Sequence, residues 1–170
     1  MTLTTHALVG AAAASFFPAH PYVAFAAGFV SHLAIDALPH WDEGSYMLRS
    51  VRVTGAGKTD RDMVIGKDFI SDFTYLGFES LVGILAAVFI FFGWLHAPLA
   101  IVLVGAVAGL LPDAMHFIYF KTRSILLTDF ERFHSYIQRE HTNKRYLFVE
   151  VTLVVGVVFV RALVALVGRG

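Results

Sequence analysis

The sequence predicts an all-α, polytopic membrane protein with about five transmembrane helices. Three observations point that way. The 170 residues are 57% hydrophobic and only 15% charged, far from the balance of a water-soluble domain. Five apolar segments recur along the chain, and the last three exceed the ~20 residues that cross ~30 Å of hydrocarbon. Eleven of the 13 Lys and Arg fall in two polar stretches, about 40–68 and 121–145. The length suits a single membrane-embedded domain, residues 1–170, with those stretches as its loops.

The first segment, about Thr5 to Phe17, is short and rich in Ala and Gly. No Lys or Arg precedes it, so it reads as a retained helix and not as a secretory signal. Pro18-Ala19-His20-Pro21 then makes a tight turn, because each Pro disfavours helix at the residue before it. The second segment runs from about Tyr22 to Leu38. Alone the first is marginal as a span, and it is expected to cross only as a hairpin with the second. Gly10, Ala11, Ala14, Ala24, Ala27 and Gly28 would let these two helices pack closely. The third segment covers about Phe69 to Leu95, the fourth about Pro98 to Phe120 and the fifth about Tyr146 to Val167.

The basic loops set the orientation. The short turns at 18–21 and 96–97 hold no Lys or Arg, so the positive-inside rule puts both long loops in the cytoplasm. The N-terminus is then inside, the C-terminus outside, and the setting is the inner (cytoplasmic) membrane. Arg161 falls near the outer end of the fifth helix, where it would snorkel. Net charge is zero, so nothing points to nucleic acid. The chain has no Cys, which excludes disulfides, thiolate metal sites and a Cys nucleophile. A GAGKT string at Gly55–Thr59 lacks the first P-loop glycine, since Arg52 stands there, and reads as a turn.

On this topology the candidate ligands fall on one side. His6 starts the first helix. His32, Asp36, His40 and Asp42 lie at the inner end of the second or just past it. Asp68 and Asp72 open the third, and Asp113 and His116 close the fourth. His32, Asp36 and His40 are spaced i, i+4, i+8 and share a face if the helix continues, although Pro39 is expected to end it. Asp113 and His116 are i, i+3. Asp68, Asp72 and Glu79 follow one stripe, and Glu79 lies about 15 Å along a helix begun at Phe69. A carboxylate at that depth is costly unless neutral, paired or bound to a metal. Glu150, near the start of the fifth helix, is expected to pair with loop Arg or Lys. His134 and His141 are seven apart and would share one face of a short amphipathic helix, with Phe130, Phe133 and Ile137 on its membrane side.

THALVGAAAAS, GFVSHLAIDALPHWD, GLLPDAMHF and FHSYIQ together resemble the small bacterial inner-membrane proteins classed as metal-dependent hydrolases. The resemblance covers most of the chain, apart from the loop Gly44–Asp68. HLAIDALPHWD is also similar to a helix of the zinc phospholipase C and single-strand nuclease superfamily, His-x-x-x-Asp-x-x-x-Pro-x-His. That similarity implies His32 and Asp36 as zinc ligands and His40 as a further one, although the interval to His40 is shorter here. Some of those enzymes use the N-terminal residue as a ligand, a place His6 could take.

The expected function is a membrane-embedded, metal-dependent hydrolase at the cytoplasmic leaflet, acting on a phosphoester such as a lipid headgroup. His6, His32, Asp36, His40, Asp113 and His116 would hold one or two divalent ions, zinc first, manganese or iron as alternatives. Asp72 or Glu79 would act as ligand or general base. Arg123, Arg132, Arg139 and Arg145, with His134 and His141, would contact the anionic substrate or lipid surface. Two alternatives stay open: a divalent-cation or proton transporter or channel built on intramembrane Asp, His and Glu, with Glu79 its main support, and a structural or interaction protein with a hydrogen-bonded polar plug.

Overall fold

The computed structural model describes residues 1–41, 48–53, 61–141, 143 and 146–167. Asp42, the GAGKT string and Arg145 lie outside the described residues. The fold is all-α at 77% helix. Helix α1 spans Leu3–Ala14 and begins at Thr2, whose side chain accepts a hydrogen bond from Thr5 N. Helix α2, Pro21–Asp36, has its proline at the first position, where the missing N–H costs nothing. It stops at Asp36, as Pro39 requires. Strands β1 (His40–Trp41), β2 (Val51–Val53) and β3 (Arg61–Met63) follow, with β2 antiparallel to β3. Helix α3, Phe69–Ala87, continues as a π-helical stretch, Val88–Trp94. Helix α4, Leu99–Thr122, ends at Arg123 in the left-handed region (φ 50°). Helix α5, Ile125–Ile137, leads to β4 (Glu140–His141), which pairs in parallel with β1. Helix α6 is Leu147–Val167.

Among the described residues, three helices rather than five are long and apolar enough to cross a membrane: Phe69–Trp94, Leu99–Thr122 and Leu147–Val167. Helices α1 and α2 have 12 and 16 residues, or about 18 and 24 Å, short of the hydrocarbon thickness. The prolines around them and the polar end of α2 cut them short. Both pack against α4. Gly10 and Gly28, expected to join α1 to α2, each meet Gly105 of α4 instead: a Cβ on either would lie 2.4 or 2.7 Å from its carbonyl oxygen. Close backbone approach of this kind is the usual basis of helix association in lipid.

Two acids tie down the start of α1. Glu150 of α6 accepts from Thr2 N (3.1 Å) and Thr5 Oγ1 (3.2 Å), and Glu79 of α3 accepts from Thr4 N (3.4 Å). The exposed N–H groups and dipole of a helix N-terminus favour carboxylates there. The sequence expectation that Glu150 pairs with loop Arg or Lys is thus corrected: its carboxylate is bound to the start of α1. Arg161 donates to Ser15 Oγ (2.8 Å) at the far end of α1 and lies over the Phe16 ring.

Candidate metal centre

Asp36, at the last position of α2, is the hub of a buried polar cluster. Its Oδ2 lies 3.1 Å from His32 Nε2, one turn earlier, and 3.2 Å from His134 Nε2 of α5. Its Oδ1 lies 3.3 Å from His6 Nε2 of α1 and 3.7 Å from the Met1 amino group. Asp113 of α4 completes the ring, with Oδ1 3.7 Å from His32 Nε2 and Oδ2 4.0 Å from His6 Nε2. His6, His32, Asp36 and His134 are each 1% exposed or less, whereas Asp113 is 31% exposed. Four helices thus send imidazoles and carboxylates to one point.

Local structure explains the aim of each group. His32 Nδ1 lies 2.7 Å from the Gly109 carbonyl. A carbonyl only accepts, so Nδ1 carries the proton and Nε2 faces Asp36, Asp113 and His134. Fixing one ring nitrogen on a backbone carbonyl to present the other is how metal-binding histidines are oriented. His6 stacks on His32, with ring centroids 3.8 Å apart. Gly109 permits this: a Cβ there would lie 2.4 Å from the His6 carbonyl oxygen. His134 is carried in by α5, whose far end is fastened to α2. Arg139 N donates to Asp36 O (3.1 Å) and His40 N to Arg139 O (3.2 Å), leading into the β1–β4 pair.

His32, Asp36, Asp113 and His134 each offer a ligand atom within 4.8 Å of the others, close enough to hold a metal ion. His116, Glu131 and His134 form a second such group. Here His116 Nδ1 lies 3.0 Å from Glu131 Oε1, which also accepts from Ser135 Oγ (2.8 Å). Burial works to raise the Glu131 carboxyl, but the His116 and Ser135 hydrogen bonds outweigh it and hold it below its ordinary value. His32 Nε2 and His134 Nε2 stand 3.2 Å apart, and His6 Nδ1, His134 Nδ1 and Asp36 Oδ1 are buried without a hydrogen-bond partner among the described residues. Buried polar atoms left this way are expensive; the two Nδ1 atoms lie on the far side of rings whose Nε2 faces Asp36, so a cation at the cluster would relieve the cost at Asp36 Oδ1. The donor set of imidazole and carboxylate without sulfur suits zinc, manganese or iron.

A cavity of about 500 Å³ opens onto the cluster. Asp36, Asp113 and His116 line its polar end, and Phe73, Leu76 and Leu110 are among its apolar walls.

Of the ligands expected from sequence, His32, Asp36 and Asp113 come together in the first group, His116 joins the second, and His6 lies in neither group but pairs with Asp36 beside the first. His40 is buried in β1, with Nδ1 2.8 Å from the Leu38 carbonyl, and belongs to neither group. Asp72 accepts from Ser50 N (2.6 Å) and Ser50 Oγ (2.7 Å), pinning the first loop. Glu79 serves α1, as described, and Asp68 is the residue preceding α3. The expected headgroup cations make none of the cluster's side-chain contacts among the described residues, although the Arg139 backbone adjoins Asp36. Arg123 covers the Phe120 ring, Arg132 is exposed beside Asp129, and Arg139 is exposed. His141 is placed by its backbone opposite Trp41, outside α5, and its side chain lies outside the described residues. It therefore shares no helical face with His134. Phe130 also differs from expectation: it packs on Phe29 and His134, while Ile125, Leu126, Phe133 and Tyr136 form the exposed face.

Sequence reasoning assigned His134 to substrate and missed Glu131. The available signal was the i, i+3 spacing of Glu131 and His134, which repeats that of Asp113 and His116. A carboxylate three residues before a histidine is a recurrent metal-binding pattern in helical bundles. No family model, curated protein or solved structure matches the chain.

Proposed function

We propose that the protein is a membrane-embedded, metal-dependent hydrolase at the cytoplasmic leaflet of the inner membrane, acting on a phosphoester, foremost a lipid headgroup. The supporting observation is the convergence of His6, His32, Asp36, Asp113 and His134 from α1, α2, α4 and α5 at one buried point beside a cavity. Four such groups buried together, with Asp113 half-buried at their edge, are costly in a greasy chain unless they have a task.

A bound divalent ion would supply Lewis acidity to a phosphoryl oxygen and bring a water's pKa toward neutrality. Asp36 and Asp113 contribute the negative charge that would hold it, and zinc fits their mixture with imidazoles best. His32 is held by Gly109 so that only its Nε2 faces the cluster. Glu131 orients His116, which lines the cavity, and the partial exposure of Asp113 is the point of access. The two groups adjoin at His134, which would serve one ion or bridge two. In the reaction the water oxygen bonds to phosphorus, the ester P–O bond breaks, and the departing alcohol takes up a proton.

Transport needs Glu79 as a deep carboxylate on an ion path, and that side chain is bound to Thr4 at the head of α1. Hydrolysis is therefore the better reading. Elemental analysis of the purified protein should find one or two zinc, manganese or iron ions per chain. The double variant His32→Ala/Asp36→Ala should lose both the metal and phosphoesterase activity on phospholipid vesicles. Activity that survives in metal-free protein ends the hydrolase reading, and metal flux into proteoliposomes would favour transport.

A further inference from the structure

The face of α3 formed by Phe73, Leu76, Gly77 and Ser80 lines the cavity, and so does the face of α4 formed by Leu110, Asp113, Ala114 and Phe117. Both sets are spaced i, i+3, i+4, i+7, a single stripe on each helix. The two stripes face one space, closed at one end where the Phe117 ring packs on Phe73 and Phe69 of α3 at 5.8 and 6.4 Å, and open beside Gly77. A Cβ on Gly77 would meet nothing within 4 Å. Six residues further along α3, a Cβ on Gly83 would lie 2.8 Å from Thr4 Cα of α1. Helix α3 is therefore held to α1 from Glu79, whose carbonyl accepts from Thr4 Oγ1 (3.0 Å), to Gly83, and leaves open space on the side that Gly77 presents. The result is a wedge between two of the long apolar helices, with mainly apolar walls that also carry Glu79 and Ser80, and with Asp36, Asp113 and His116 among its polar residues.

We propose that this α3–α4 wedge is an acyl-chain site, taking one fatty chain of a membrane lipid whose headgroup reaches the His/Asp cluster. The headgroup's place rests on the hydrolase reading above; the chain site rests on the wedge alone. The occupant follows from the surroundings. A gap between two spans opens onto hydrocarbon, and water gains few hydrogen bonds between Phe73, Leu76, Leu110 and Phe117. The molecule that is apolar over most of its length and polar at one end, and is present there in bulk, is a lipid. The cavity's ~500 Å³ falls within the usual ~300–1,000 Å³ of small-molecule sites.

The test uses the full chain, reconstituted in vesicles of phosphatidylethanolamine and phosphatidylglycerol, re-extracted in mild detergent and weighed intact. The wild-type protein should retain one phospholipid. Gly77→Phe places a ring in open space inside the wedge, and Ala114→Leu narrows it from the opposite wall. Displacing only two methylenes weakens binding roughly tenfold, so either variant should lose most of its lipid. Gly156→Phe on α6, where a Cβ also meets nothing within 4 Å and which is not part of the cavity lining, should retain lipid like the wild type. Metal content of the Gly77→Phe protein should be unchanged. Wild-type protein that retains no lipid, or Gly77→Phe and Ala114→Leu proteins that retain as much as wild type, would overturn the chain site. A protein that holds lipid but no metal would leave the chain site standing and remove the hydrolase reading.

Discussion

Helix α4 meets its neighbours in two opposite ways. On one face Gly105 and Gly109 admit the backbones of α1 and α2 so closely that an added Cβ would collide with the carbonyls of Gly10 and His6. On another, Leu110 and Ala114 line a wedge that is open beside Gly77 of α3, while Phe117 closes one end of it against Phe69 and Phe73. The difference separates two requirements of a buried site. The tight face fixes His6 and His32 against each other and against Gly109 O, which gives the ligands a rigid frame. The loose face leaves a cavity that reaches Asp36 and Asp113, the space proposed above for a lipid chain. Residue size decides which face does which.

The strongest test of this contrast is one substitution made on both sides. Gly109→Leu drives a side chain into the His6 backbone and should cost about 3 kcal/mol or more, with metal binding lost as His6 and His32 separate. Gly77→Leu meets open space and replaces a poor helix former, so its stability should change by no more than about 1 kcal/mol, in the favourable direction. Thermal unfolding in detergent reads both, and equal losses would erase the distinction between the faces. The next effect concerns the hub. Asp36→Asn keeps the shape but removes the charge that three imidazoles share, and chelator competition should show metal affinity falling by more than about 100-fold, since even supporting residues are worth about 10–100-fold. Glu131→Gln, which weakens only the second group, should fall within that supporting range.

The smallest effect is on acid stability. Burial, with the N-terminal ammonium adding to it, pushes His40 from 6.5 down to about 4. Between these values the unfolded chain binds the proton and the folded chain does not. The His40 contribution is therefore complete above 6.5, declines as pH falls toward about 4, and is flat below. His40→Gln should flatten the dependence of melting temperature on pH in that window. A slope equal to wild type would place the acid sensitivity in other groups.

Much of this was legible in the residues. Hydrophobic runs located α3, α4 and α6 to within a few residues, because helices that must satisfy their backbone inside an apolar medium need long uninterrupted apolar stretches. The pairs His32/Asp36 and Asp113/His116 were legible for the same reason: polar ligands stand out against lipid-like sequence. Glu131 and His134 did not stand out, because α5 lies in a stretch already rich in polar residues, where charge carries no surprise. Glu79 and Asp72 looked like ligands by depth and stripe, yet each found a nearer backbone N–H, on Thr4 and Ser50.

By itself the sequence determined the helical class, the long apolar helices and the side-chain chemistry available to a cation. Those are matters of composition and local periodicity, and each is settled within a few turns of chain. Tertiary structure alone decided which carboxylates turn toward the cluster and which cap α1 or pin a loop. It also decided that His134 meets Asp36 and that a cavity opens between α3 and α4 beside Gly77. Such outcomes depend on contacts between residues about a hundred positions apart, as His134 and Asp36 are, and on glycine-sized gaps between backbones that no local pattern encodes.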